Sequence, residues 1–290
     1  MAVCLRELMV RRSRSGVPTP DSGFAMKRLP VLTSLAGGVA LLLAAGCAPA
    51  YSAPNETETL MQLSTIDALL EGVYDGVMTF ETLSQYGDFG IGTFAALDGE
   101  MLAFDGRFFQ VTGDGVVNTV SGDMETPFAA VTFFEEDFSY DVPEGLDFPG
   151  FEAFLDSRLE TLSTFYAIRI DGVFARMTTR SVPAQQRPYP PLSEVTADQR
   201  VFEFEDIAGT VVGFRCPPFV SGVNVPGYHL HFLSEDEASG GHILGFSVQE
   251  ARVSVDVMRN FLMILPDLDS DFYAVDLTSD KQTELEQVEK

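Results

Sequence analysis

Lysine occurs only three times in 290 residues, as Lys27, Lys281 and Lys290, and Lys and Arg together number 18 against 43 Asp and Glu. A chain of formal net charge −25 without a basic stripe cannot neutralise a phosphate backbone, which excludes a nucleic-acid binder. The same shortage excludes a polybasic contact with anionic lipid. Cysteine is equally scarce. Cys4 and Cys47 lie in or at the edge of a segment that reads as removable, so Cys216 has no intrachain disulfide partner. Its setting beside Arg215 and Pro217-Pro218 allows a nucleophile, but a Phe-rich strand predicts a packed thiol. Apolar material is not short: 46% hydrophobic residues with 24 Phe supply one large core or two smaller ones, which excludes disorder.

Long apolar runs are missing except near the start. Met26-Lys27-Arg28 leads into Leu29 to Ala45, almost free of polar residues, and then Gly46-Cys47-Ala48-Pro49-Ala50, the organisation of a secretory signal. Ala44-Ala45-Gly46-Cys47 also resembles a bacterial lipobox, in which Cys47 is lipidated and becomes the mature N-terminus. Cleavage after Ala50 or Ala53 with free secretion is the alternative. A transmembrane anchor is a third reading, although roughly 17 apolar residues stand near the lower limit for a span. Residues 1–25 carry Arg6, Arg11, Arg12 and Arg14 without apolar periodicity and precede a better start at Met26. The expected organisation is therefore a non-native or disordered extension over 1–25, a signal over 26–46, an N-terminal half over 47–180 and a C-terminal half over 181–290. The protein is expected to be exported, either lipid-anchored at the membrane or periplasm or free, and its acidity suits solubility at high salt.

Residues 55–81 read as short strands and turns, followed by a short helix over 79–86 capped by Thr79. Residues 92–109 read as a hairpin with turn signals at Leu97-Asp98-Gly99 and Asp105-Gly106. Phe151, Phe154, Leu155, Leu159 and Leu162 fall on one helical face after Pro149, predicting a helix over 151–162. Strands over 165–170 and 173–178 are expected to flank a hairpin turn at Asp171-Gly172. Pro183, Pro188, Pro190 and Pro191 break regular structure over 181–192. Beyond them lie strand signals over 211–214, 228–233, 242–248, 252–258 and 261–265, and then a charged helix from about Asp280. The fold class is α+β, with two β-rich halves of mostly antiparallel or mixed sheet and few helices.

All three histidines fall between positions 229 and 242, in Tyr228-His229-Leu230-His231-Phe232 and Gly241-His242-Ile243. In a strand, His229 and His231 point to one face. A symmetric hairpin about the polar stretch 234–241 pairs His231 with His242 and His229 with Leu244, bringing three imidazoles within reach of one ion. Three neutral nitrogens without a thiolate are the ligand set of a catalytic Zn²⁺, whose fourth position stays open. Three hydrogen-bonded core histidines are the competing reading. The acidic Ser234 to Glu237 run lacks Ca²⁺-loop spacing and reads as a solvated hairpin tip.

From about Leu60 onward the chain resembles the α-acetolactate decarboxylases. The matching stretches include Ser64-Thr65-Ile66-Asp67-Ala68-Leu69-Leu70-Glu71-Gly72, Gly87-Asp88-Phe89-Gly90-Ile91-Gly92-Thr93-Phe94 and Leu97-Asp98-Gly99-Glu100. They continue with Phe165-Tyr166-Ala167-Ile168-Arg169-Ile170-Asp171-Gly172, Thr179-Arg180-Ser181-Val182-Pro183, Asn224-Val225-Pro226-Gly227-Tyr228-His229-Leu230-His231-Phe232 and Gly240-Gly241-His242. The resemblance implies conversion of (S)-2-acetolactate to (R)-acetoin and CO₂ at one zinc ion held by His229, His231 and His242. It further implies that Glu100 and Arg180 enter the active centre and that a tail glutamate, Glu289 or else Glu286, reaches back to it.

The chemistry suits these residue types. Losing CO₂ from a β-keto acid leaves an electron pair as an enolate, and a Lewis acid at the keto oxygen stabilises the developing charge. An anionic substrate approaching an acidic protein needs local positive charge, from the metal and Arg180, with Arg169 competing for that role. Glu100 is the first candidate for the proton donor, Arg180 or a metal-bound water being alternatives. Without the resemblance, Glu100 reads as an exposed hairpin residue and Glu289 as a frayed end. The partners implied are a small 2-hydroxy-3-keto acid, a membrane only through Cys47, and a second copy in a homodimer. Two alternative functions use the same histidines: another metal-dependent lyase or hydrolase of a small keto or hydroxy acid, and a non-catalytic zinc-binding surface lipoprotein.

Overall fold

A computed structural model describes residues 56–289. The signal over 26–46, the candidate lipid anchor Cys47 and the extension over 1–25 lie outside the described residues. The strands are β1 (Thr59–Leu63), β2 (Met78–Thr79), β3 (Phe89–Thr93), β4 (Glu100–Phe104), β5 (Arg107–Val111), β6 (Val117–Thr119) and β7 (Glu125–Thr126). They continue as β8 (Ala129–Thr132), β9 (Phe138–Val142), β10 (Phe165–Ser181), β11 (Arg200–Cys216), β12 (Gly227–Ser234), β13 (Gly240–Met258) and β14 (Asn260–Ile264). Helices α1 (Ile66–Leu70), α2 (Phe80–Leu83), α3 (Phe148–Asp156), α4 (Leu192–Ala197) and α5 (Gln282–Glu289) are short.

One sheet has seven strands in the order β14-β1-β8-β3-β4-β5-β6, antiparallel except for the parallel β1–β14 pair. A second runs β10-β11-β12-β13-β9 and closes on itself because β10 also pairs with β13, and β2 and β7 form a two-stranded third. This is the expected α+β class of mixed, mostly antiparallel sheet. Sheet membership crosses residue 181, since β9 and β10 ahead of it belong to the five-stranded sheet and β14 beyond it joins the seven-stranded one. Phe89, Leu102 and Phe109 meet Val212 and Phe214 in a core between the sheets, and Phe151 and Leu155 of α3 pack with Phe174, Phe232 and Phe246 in a second core. Burying each such side chain contributes about 1.5–3 kcal/mol.

Three local expectations are corrected. Asp171-Gly172 is not a turn: β10 runs straight through it, pairing Gly172 with Gly209 on one side and Ala251 on the other. A Cβ at Gly172 would stand 2.3 Å from the Glu250 carbonyl oxygen, so this glycine serves a close approach of strands. The helix expected over 151–162 starts earlier and stops sooner. Asp147 caps it by accepting from Gly150 N–H at 2.9 Å, Pro149 occupies its first turn, and Ser157 Oγ and Arg158 Nη1 both donate to the Phe154 carbonyl near its end. Within 55–81, α1 replaces part of the expected strand and turn, because Thr65 Oγ1 accepts from Ala68 N–H at 3.2 Å and starts a helical turn.

Asp256 of β13 is 2% exposed and accepts the Glu135 N–H at 3.1 Å. Burial pushes its carboxyl from 3.8 up to about 7; the Glu135 N–H opposes this, and the Asp137, Glu135 and Glu58 carboxylates add to it. The folded state therefore holds a proton that the unfolded chain releases, and stability falls as pH rises through that window. Asp256→Asn keeps an acceptor for the Glu135 N–H and removes the charge. It is expected to leave stability near pH 4 almost unchanged and to raise it at pH 8 by about 1–2 kcal/mol, less than the full shift because the amide is itself polar and buried. Thermal melts of both proteins at the two pH values check this, and an equal gain at both would refute it.

Candidate metal centre

The register of the closed sheet sets Arg180 opposite His242, and His242 opposite His231, across β10, β13 and β12. Cross-strand partners share a face, as do residues two apart on one strand, so His229 joins the group. The three ring centroids are 5.0–5.4 Å apart, and one ligand nitrogen from each lies within 4.8 Å of the others. The expected pairing of His231 with His242 holds. The pairing of His229 with Leu244 does not, because the β12–β13 ladder covers only His231–Leu233 and Gly240–His242. Leu244 is instead an extra residue in β13, between the Thr178–Gly245 and Thr179–Ile243 pairs, and this bulge re-aims the end of the strand that carries His242.

Two glycines make the close approaches possible. Gly241 has φ +129°, and a Cβ on it would stand 2.4 Å from the Arg180 carbonyl oxygen. Gly99 has φ +86°, and a Cβ there would stand 2.2 Å from the Val111 carbonyl oxygen, so the chain turns tightly into β4 with Glu100 as its first residue.

Arg180 is 4% exposed and joins three parts of the molecule. Its Nη1 donates to Glu100 Oε1 at 3.0 Å, and its Nη2 donates to the Val288 carbonyl of α5 at 2.9 Å. Glu100 Oε2 lies 3.6 Å from His231 Nε2, while Glu289 Oε2 lies 3.6 Å from His229 Nε2 and 3.9 Å from His242 Nε2. Two carboxyl groups thus face the imidazoles. Burial pushes both Glu100 and Glu289 up to about 7; Arg180 opposes the shift in each, and Glu289 adds to that of Glu100. Burial, with Arg180 nearby, pulls His229 down to about 3, and burial above all holds His231 and His242 well below the usual imidazole range. All three rings are therefore neutral at physiological pH.

His231 Nδ1 lies 2.8 Å from the Met101 carbonyl oxygen, which can only accept. Nδ1 must carry the proton, and Nε2 presents a lone pair. That Nε2, His229 Nδ1 and both ring nitrogens of His242 are buried without a hydrogen-bond partner. Leaving such atoms unpaired costs about 1–3 kcal/mol each, which argues against a merely packed histidine cluster. A metal ion bound by one nitrogen of each ring would take up one lone pair per imidazole, and an all-nitrogen neutral donor set fits Zn²⁺ or another borderline divalent ion.

The remaining candidates lie elsewhere. Arg169 is engaged by Asp105 and Asp171, both at 2.7 Å. Glu286 is exposed and accepts from Gln282, and Glu284 accepts from Ser193. Cys216 is fully packed, and burial pushes its thiol up to about 12. Sequence reasoning missed the apolar wall of the cavity: Ile66, Leu69, Leu97, Phe128, Val182 and Leu192. These come from distant segments. Only Ile66, Leu69 and Leu70 at helical spacing behind Thr65 offered a signal.

A family model described as alpha-acetolactate decarboxylase matches residues 60–279. The chain is 48% identical over 236 residues to an alpha-acetolactate decarboxylase of Methanosarcina mazei, covering 81% of this chain and 82% of that one. It is 39% identical over 218 residues to that of Bacillus subtilis, covering 75% and 85%. The crystal structure of the Bacillus subtilis protein superposes with a TM-score of 0.78 at 38% identity, over 80% of this chain and 99% of that one. A Staphylococcus aureus protein described as similar to alpha-acetolactate decarboxylase gives a TM-score of 0.75 at 29% identity, over 79% and 98%.

Proposed function

The chain belongs to the alpha-acetolactate decarboxylase family, and on that premise we propose that it converts (S)-2-acetolactate to (R)-acetoin and CO₂ at a zinc ion held by His229, His231 and His242. The observation that carries the metal is the convergence of three neutral, buried imidazoles, each with at least one ring nitrogen that has no hydrogen-bond partner.

When bound, the metal supplies Lewis acidity at the substrate's keto oxygen, where negative charge develops as CO₂ leaves. Arg180 adds positive charge where the net charge of −25 would repel an anion. Glu100, its carboxyl raised by burial, holds a proton near neutral pH and gives it to the carbon that CO₂ has left. The Arg180 hydrogen bond fixes Glu100 Oε1, so the proton comes from one side, which sets the chirality of acetoin. Glu289 lines the cavity beside the imidazoles, the Val288 carbonyl holds Arg180, and the apolar wall excludes water from the reacting carbon.

Supplying each acetolactate enantiomer to the zinc-replete protein and resolving the acetoin on a chiral phase tests the reading. Rapid formation of (R)-acetoin from the (S)-substrate is expected. Racemic acetoin would refute delivery from a fixed acid, and no acetoin would favour another metal-dependent lyase or hydrolase. Export, with or without lipid on Cys47, is proposed from the sequence between Met26 and Ala53. A homodimer is proposed from the edge strand β14, where Phe261, Leu262 and the adjoining Leu265 are exposed.

A further inference from the structure

Helix α5 brings Glu289 and the Val288 carbonyl to the metal centre, yet little in its own sequence holds it there. It has eight residues and buries only Leu285 and Val288. Isolated helices of fewer than about 12 residues are marginal in water, so its position must come from tethers. Its charge is unfavourable too: Glu284, Glu286 and Glu289 dock onto a molecule of net charge −25.

Lys281 stands at the start of this helix, where its carbonyl accepts the first backbone bond, from Leu285 N–H at 2.9 Å. Ser, Thr, Asp or Asn suits that position, and a cation there opposes the helix dipole. Helix stability therefore does not explain the residue. Its side chain is only 8% exposed, and its ammonium donates to Glu71 Oε1, with the Glu284 and Asp67 carboxylates also acting on it. Glu71 caps the C-terminal end of α1, and α1 supplies Ile66 and Leu69 to the cavity wall. The other tethers at this end, Ser221 to Gln282 and Ser193 to Glu284, are side-chain hydrogen bonds from serine hydroxyls at 3.3 and 3.0 Å. The family-model match ends at residue 279, before Lys281.

We propose that Lys281 is a positioning residue: its partly buried ion pair with Glu71 latches the start of α5 to the end of α1, and so holds Glu289 and the Val288 carbonyl at the metal centre. Lys281 and Glu289 are eight residues apart, about 12 Å along a helix, so the latch acts through the helix and not on the substrate. Loss of the pair frees the helix start, and Glu289 leaves the imidazoles while the metal ligands, all on β12 and β13, keep their places.

The inference rests on the proposed decarboxylation only for its kinetic readout; tail docking is read independently. The test compares the full chain with Lys281→Met, which keeps the apolar stem, Lys281→Arg, which restores the charge, and Lys281→Met combined with Glu289→Gln. Lys281→Met is expected to release its C-terminal residues to carboxypeptidase at least about tenfold faster while retaining zinc and the parent melting temperature to within about 2 °C. Its kcat is expected to fall about tenfold, with KM changing less than threefold, and Lys281→Arg to recover most of both properties. The double variant is expected to be no slower than Glu289→Gln alone, because both changes act through one carboxylate. Unchanged tail protection in Lys281→Met would overturn the latch, whether or not acetoin is formed. Multiplicative losses in the double variant would overturn its action through Glu289. Absence of acetoin from the parent, with tail release still accelerated by Lys281→Met, would instead count against the reaction.

Discussion

Replacing His231 by alanine is expected to abolish stoichiometric metal binding and to lower acetoin release by about 10³-fold or more. A Lewis acid at a developing oxyanion is worth several kcal/mol, and about 4 kcal/mol corresponds to that factor. His231 is the most telling of the three proposed ligands, because the Met101 carbonyl fixes its tautomer and turns its lone pair toward the other rings. It is also the ring beside Glu100, so its loss disturbs both the ligand set and the proposed acid. His229→Ala and His242→Ala should act in the same direction. Metal content per folded chain, with circular dichroism to verify folding, checks the prediction. One equivalent of zinc retained by any single variant would count against the ligand set.

Glu100→Gln should leave the metal in place and still lower kcat by about 10²–10⁴-fold. Glutamine has nearly the same shape and offers an oxygen to Arg180 Nη1, so the hydrogen bond that joins the sheet to the guanidinium can persist. It cannot donate a carboxylic proton. The comparison with Glu289→Gln is informative, since burial raises both carboxyls while only Glu100 is held by Arg180. Single-turnover rates, zinc content and product chirality should be measured together. A Glu100→Gln variant that keeps full kcat and yields pure (R)-acetoin would move the acid role to Glu289 or to a bound water.

How much of this was legible in the sequence depends on how local each signal was. The His-X-His spacing in a strand, the polar turn and the third histidine were enough for the His231–His242 pair, because period-2 alternation and hairpin symmetry are short-range. His229 opposite Leu244 failed because a single bulge residue in β13 is invisible to symmetry and is imposed by pairing with β10. Asp171-Gly172 was misread for a related reason: glycine serves both a tight turn and a close strand crossing, and only the Glu250 carbonyl 2.3 Å from its would-be Cβ tells them apart. Glu100, Arg180 and Glu289 came from family resemblance and not from periodicity. Their meeting depends on contacts far apart in sequence, such as Arg180 with Val288, which no local pattern encodes. The apolar wall stayed hidden likewise, because a leucine lining a cavity and a leucine in a core obey the same burial rule.

The decisive measurement is CO₂ and acetoin release from racemic acetolactate by the purified chain, before chelation, after chelation and after return of one equivalent of zinc. Turnover lost on chelation and restored by zinc, with half of the racemate consumed in the fast phase, is the predicted result. Turnover that survives complete metal removal, or its absence from folded protein whose three histidines hold zinc, would contradict it.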